Sequence, residues 1–106
     1  MVPIKRGLMM TYIITPNNNA FSVKEPIFSI HEYNPPGSKS YAVVQIVKHN
    51  WSDDWNNISV EYTGEDRMFK ATEFLIQLID AISENPLIIQ CDQFGEIRII
   101  KSPKFD

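Results

Sequence analysis

The chain has 106 residues, 43% of them hydrophobic and 22% charged, with one cysteine and a formal net charge of −3. These values suit a single domain over residues 1–106 that buries roughly two-thirds of its unfolded surface, and they exclude a disordered polyampholyte, a membrane-spanning protein and a disulfide-stapled scaffold. The charge is lopsided: residues 1–50 hold five Lys or Arg against Glu25 and Glu32, whereas residues 51–106 hold five against eleven Asp or Glu. The second half therefore repels phosphate backbones and attracts basic surfaces, which disfavours direct nucleic-acid binding.

Residues 1–9 carry no periodic pattern and are expected to form a poorly ordered leader. The apolar run from Leu8 to Ile14 is short, is interrupted by Thr11 and Tyr12, and lacks a small-residue cleavage site, which argues against a signal peptide. With Cys91 the sole cysteine, a reducing compartment, and so a cytoplasmic location, is expected. The N-x-S sequons at Asn50 and Asn57 are then chance matches.

Thr11–Thr15 reads as a strand closed by the turn cluster Pro16 to Asn19, where Pro sets one dihedral and Asn tolerates a positive one. Ile27, Phe28 and Ile30 form a short extended run that ends at NPPGSKS, an exposed loop in which two prolines and Gly37 prevent regular pairing. Tyr41–Lys48, YAVVQIVK, is β-branched and apolar on both faces and predicts an interior strand. Asn57–Tyr62 alternates, so one strand with Ile58, Val60 and Tyr62 toward the core and Ser59 and Glu61 toward water is expected.

Arg67–Asn85 is the one predicted helix, with Met68, Ala71, Phe74, Leu75, Leu78, Ile79 and Ile82 recurring at spacings of three and four. Asp66 or Thr63 is placed to cap its start, and Pro86 stops it. Leu87–Cys91 and Glu96–Lys101 predict a C-terminal β-hairpin around Asp92-Gln93-Phe94-Gly95. The expected class is α+β: an antiparallel sheet packed by one amphipathic helix at about 67–85, followed by that hairpin.

Most catalytic chemistries lack their residues. Cys91 shares a strand face with Leu87 and Ile89 and has an acid beside it, the setting of a buried structural thiol rather than a nucleophile. His31 and His49 have no second His or Cys at ligand spacing, and the His49, Asp53, Asp54 group lacks the glycine and alternating oxygens of a calcium loop. None of the four glycines lies within four residues of another, so no phosphate cradle is present. The chain is expected to be no enzyme, with no cofactor and no metal.

The stretch HNWSDDWNN, residues 49–57, places both tryptophans around two adjacent aspartates. Two readings are open: the rings lid the end of a sheet while the aspartates solvate the loop, or the stretch is an epitope in which Trp supplies contact area and the carboxylates meet Lys or Arg. Between Trp51 and Asp66 there are five acids and no base. The candidate partner-binding residues are accordingly Trp51, Asp53, Asp54, Trp55, Glu61, Glu65 and Asp66. In general character a small acidic α+β chain with few catalytic residues resembles the inhibitors made by bacteria and phages, such as toxin-immunity proteins and inhibitors of nucleic-acid defence enzymes. That analogy implies a non-enzymatic binding protein that occupies the basic surface of a target such as a nuclease, without direct nucleic-acid or membrane binding. A carbohydrate or small-ligand module using Trp51 and Trp55, and a structural or adaptor subunit, are the alternatives.

Overall fold

A strand apolar on both faces sits where it meets little water. Tyr41–Val47 (β4) is buried from Ala42 to Val47, as its apolar character on both faces requires. The computed structural model describes residues 11–22, 27–47 and 53–100. Lys48 and Lys101, expected as strand ends, and the expected leader at residues 1–9 lie outside them. Ile27–Tyr33 (β3) pairs antiparallel with β4 along its whole length, from Ile27 opposite Val47 to Tyr33 opposite Tyr41. The NPPGSKS connection closes this hairpin with Gly37 at φ +74°, a conformation that an L side chain resists.

The other edge of β4 departs from the expected alternating strand. Two short strands, Asn56–Asn57 (β5) and Tyr62–Thr63 (β6), pair there instead of one. Asn56 lies opposite Ile46 and Tyr62 opposite Ala42, so six residue steps on one side face four on the other. The two-residue surplus forms a bulge, and because it is even Ile58 and Tyr62 keep the same face, while Val60, expected toward the core, lines a surface cleft. Ile58 is buried in the core and Tyr62 packs against it. Ser59 was expected to face water but is only 3% exposed. Its hydroxyl accepts the Val44 N–H at 2.9 Å and donates to the Val60 carbonyl at 2.8 Å, supplying the acceptor that the interrupted ladder lacks.

A second sheet holds the remaining strands: Tyr12–Ile14 (β1), Ala20–Ser22 (β2), Ile88–Cys91 (β7) and Ile97–Ile100 (β8), in the order β2-β1-β7-β8. Both hairpins are antiparallel, and both turns are closed by side chains. Asn18 takes φ +68° while the Thr15 hydroxyl accepts the Asn19 N–H at 3.0 Å. Asp92 accepts the N–H groups of Phe94 (2.8 Å) and Glu96 (3.0 Å), with Gly95 at φ +84°. The hairpins join through β1 and β7, which run parallel. The α+β class, the helix and the C-terminal hairpin are therefore as expected. The strands, however, form two sheets, one of them mixed.

One helix, Arg67–Ser83 (α1), serves both sheets. Its Ala71, Phe74, Leu78 and Ala81 share a core with Ala42, Val44, Ile46 and Ile58 from the first sheet and Ile13, Phe21, Ile89 and Cys91 from the second. Leu75 and Ile82 flank this stripe. Met68 and Ile79, expected within it, are instead 42% and 51% exposed, as are Phe69 and Ile76 at 64% and 55%. At 3.6 residues per turn the apolar positions cover about two-thirds of the circumference. Hydropathy alone cannot select the half that meets the sheets.

The helix ends also differ from expectation. Asp66 holds the N-cap position without a side-chain cap bond, and its carboxylate goes to Lys70 Nζ at 3.3 Å. At the other end Glu84 donates its N–H to the Ala81 carbonyl, and Asn85 takes φ +53° immediately before Pro86. That left-handed residue turns the chain into β7 two residues earlier than the hydropathy suggests.

Two substitutions separate these packing assignments. Leu78→Ala should lower unfolding free energy by about 2–5 kcal/mol, whereas Ile79→Ala should cost less than about 1 kcal/mol, as measured by denaturant titration. Ser59→Ala should cost about 1–3 kcal/mol by leaving a buried N–H without an acceptor, and the Val44 amide should lose hydrogen-exchange protection more than its neighbours do.

Candidate functional site

Because Ala42, Val44 and Ile46 point to the helix, the alternation of β4 sends Tyr41, Val43, Gln45 and Val47 to the opposite face. Their cross-strand partners there are Tyr33, His31, Ser29 and Ile27. An aromatic row lies on this outer face: Tyr41 against Tyr33 at 5.2 Å, Tyr33 stacked on His31 at 6.3 Å, and His31 under Trp55 at 4.9 Å. Trp55 is half-buried, with its ring tilted 58° to the imidazole, an arrangement favoured by the ring quadrupoles. Among the described residues the buried His31 Nε2 has no hydrogen-bond partner.

Trp55 pins the end of the loop that carries Asp53 and Asp54. The Trp55 N–H donates to the Asp53 carbonyl at 3.0 Å, and Asn56 Nδ2 donates to the Asp54 carbonyl at 3.1 Å. Asn19, in the β1–β2 turn, donates to Asn56 Oδ1 at 3.4 Å and links the loop to the second sheet. Both aspartates are exposed. Trp51 and His49 lie outside the described residues.

Of the seven residues expected to act together, the six that are described are spread along β4. Asp53, Asp54 and Trp55 lie at its Val47 end, Glu65 and Asp66 lie past its Tyr41 end, and Glu61 sits in the bulge between. The four residue steps from Ile46 to Ala42 alone span about 13 Å. Near Glu65 and Asp66, moreover, the acid-only stretch gains bases: Lys70 pairs with Asp66, and Arg67 pairs with Glu32 at 2.6 Å. Exposed pairs of this kind contribute little to stability, but they cancel local field. Asp66 and Glu32 are met by these bases, while Asp53, Asp54, Glu61 and Glu65 are exposed carboxylates.

Beside Glu61 lies a cleft of about 340 Å³. Pro16 and Asn17 of the β1–β2 turn form one side and Gln93 of the β7–β8 turn another; Asn57, Ser59 and Val60 of the bulged edge complete it. These turns are legible in the sequence as turns, but not as neighbours. Phe94, 85% exposed at the tip of the β7–β8 turn, and the outward Phe69 and Ile76 of α1 were also absent from the expected site. Phe69 and Ile76 did carry a signal, since both are large apolar residues outside the predicted helix stripe.

Cys91 lies in the core, where burial pushes its thiol up to about 12 and the neighbouring Asp92 adds to the effect. Burial also raises Tyr62, with a further contribution from Cys91. Hydrogen bonds from the backbone N–H groups of Glu96 and Phe94 hold the Asp92 carboxyl below its ordinary value. Among the described residues no group of three His, Cys, Asp or Glu is placed to hold a metal ion. Nor is any described helix long and apolar enough to cross a membrane. Comparison with protein-family models, curated proteins and solved structures finds no match to the chain.

The raised thiol has a measurable signature. Between its ordinary value of 9.0 and about 12, the unfolded chain loses the Cys91 proton while the fold retains it, so unfolding free energy should fall as pH rises across that window. Tyr62 acts in the same direction above its ordinary 10.0. Cys91→Ala should flatten the first part of the decline in a pH series of denaturant titrations. Thiol reagents near neutral pH should label Cys91 only as fast as the protein unfolds; rapid labelling of the native state would contradict the assignment.

Proposed function

We propose that the chain is a non-enzymatic binding protein that docks on a basic surface of another protein, in the manner of inhibitors and immunity proteins that occupy the clefts of nucleases and nucleic-acid defence enzymes. The observation that carries this reading is the seating of Trp55 on His31 between exposed acids: a half-buried ring held in place, with Asp53 and Asp54 presented beside it. A ring anchored before binding loses little entropy on contact, and carboxylates at its edge steer a cationic partner toward it. Enzymes acting on nucleic acid present basic clefts, which such a surface complements. The buried, protonated thiol of a lone cysteine accords with a reducing, cytoplasmic setting.

Affinity capture from the native host, with the Asp53→Asn/Asp54→Asn double variant as a matched bait, tests this reading. A protein retained by the wild type should be identified by mass spectrometry and its association followed kinetically. The double variant should keep its melting temperature within a few degrees yet associate about three- to tenfold more slowly at low ionic strength, with a weaker salt dependence. An unchanged on-rate and salt dependence would remove the acidic loop from the interface.

A further inference from the structure

We infer that the cleft between the β1–β2 turn, the bulged edge and the β7–β8 turn receives an arginine side chain of a basic protein partner, with Glu61 as its counter-ion. The inference rests on the reading of the chain as a binder of basic protein surfaces, and it names the side chain and the seat.

The walls of the cleft are held from behind. Gln45 Nε2 donates to Asn57 Oδ1 at 2.7 Å, the Thr15 hydroxyl donates to Asn17 Oδ1, and Ser59 is fixed between Val44 and Val60. By contrast, the Glu61 carboxylate and the Gln93 amide make no hydrogen bond or ion pair among the described residues. A preformed frame thus surrounds two uncommitted groups, an arrangement suited to binding rather than to holding the fold together.

The lining selects the ligand. Glu61 is the one charged residue in its lining among the described residues, so anions are disfavoured. The Pro16 ring and the Val60 methyls offer apolar surface to a methylene stem, while Glu61 can take two parallel N–H bonds from a guanidinium and the Gln93 amide oxygen another. A volume of about 340 Å³ is at the small end for ligand pockets and suits one long side chain. Arginine fits better than lysine, because its planar fork of five donors matches a carboxylate with a neighbouring amide, whereas an ammonium is a compact, strongly hydrated point charge. In the chain Asn57 of its wall follows Trp55 by two residues, and the exposed Phe94 follows Gln93.

The probe is an acetylated triarginine amide, titrated into the intact chain and followed by NMR of backbone and side-chain amides, with tricitrulline as its uncharged counterpart. Saturable shifts should map to the side-chain amides of Asn17, Asn57 and Gln93 and to the backbone of Glu61, and tricitrulline should bind much more weakly. Glu61→Gln should raise the dissociation constant by more than about fivefold, beyond the effect of an exposed surface pair, while Glu73→Gln on the polar face of α1 should change it less than about twofold. Equal effects of the two variants, equal binding of tricitrulline, or no saturable shift in the cleft would each overturn the inference. Shifts centred on Asp53 and Asp54 would overturn the cleft while leaving the basic-partner reading intact, and that reading falls separately if the double Asn variant associates with its partner unchanged.

Discussion

Much of this structure turns on how Val44 is satisfied. Its side chain is in the shared core, its carbonyl takes the Ile58 N–H at 2.8 Å, and its own N–H goes to the Ser59 hydroxyl at 2.9 Å. An N–H this deep in the core must find an acceptor. With a side-chain oxygen available, the backbone of residues 59–61 is released from the ladder, and the chain can bulge without leaving the buried Val44 donor unpaired. The bulge keeps Ile58 and Tyr62 inward while sending Glu61 outward beside the turns of the second sheet. Core packing and the candidate site thus meet at one hydroxyl.

The same central strand organises two unlike faces. Toward α1 it presents small and branched side chains that let the helix approach closely, so Ala42 meets a helix stripe that itself contains Ala71 and Ala81. Away from the helix it carries Tyr41, Val43 and Gln45, which support the aromatic row ending at Trp55. Gln45 is nearly buried, yet it spans from the Tyr33 hydroxyl to Asn57. Through that amide the aromatic face and the wall of the cleft are mechanically connected. This gives a physical reason for a polar residue in the middle of YAVVQIV.

Electrostatics reads differently in space than along the chain. The acid-only run from Asp53 to Asp66 suggests one patch, but its last part is met by Lys70 and by the Arg67–Glu32 pair. Asp53, Asp54, Glu61 and Glu65 remain exposed carboxylates, the first two beside the half-buried Trp55 ring. Aromatic rings are enriched at interfaces, and exposed carboxylates around them steer a cationic partner.

Local sequence determined the elements wherever a short-range rule acts on neighbouring residues. The β-branched run of β4, the three-and-four spacing of α1, the Asn-rich and Gly95 turns and the stop before Pro86 all depend on dihedral preference and hydrophobic period within a few positions, and so they were legible. The burial of Cys91 followed from the same alternation. Tertiary structure alone decided the rest: the parallel contact of β1 with β7, the bulge at Ser59, the exposure of Met68 and Ile79, and the meeting of three distant turns around Glu61. Each of these depends on groups far apart in sequence competing for one backbone donor or one apolar surface, and no local pattern records which competitor prevails. The Trp-Asp stretch shows both sides of this division. Its residue types marked it for contact, but His31, more than twenty residues earlier in the chain, is what holds Trp55 in place.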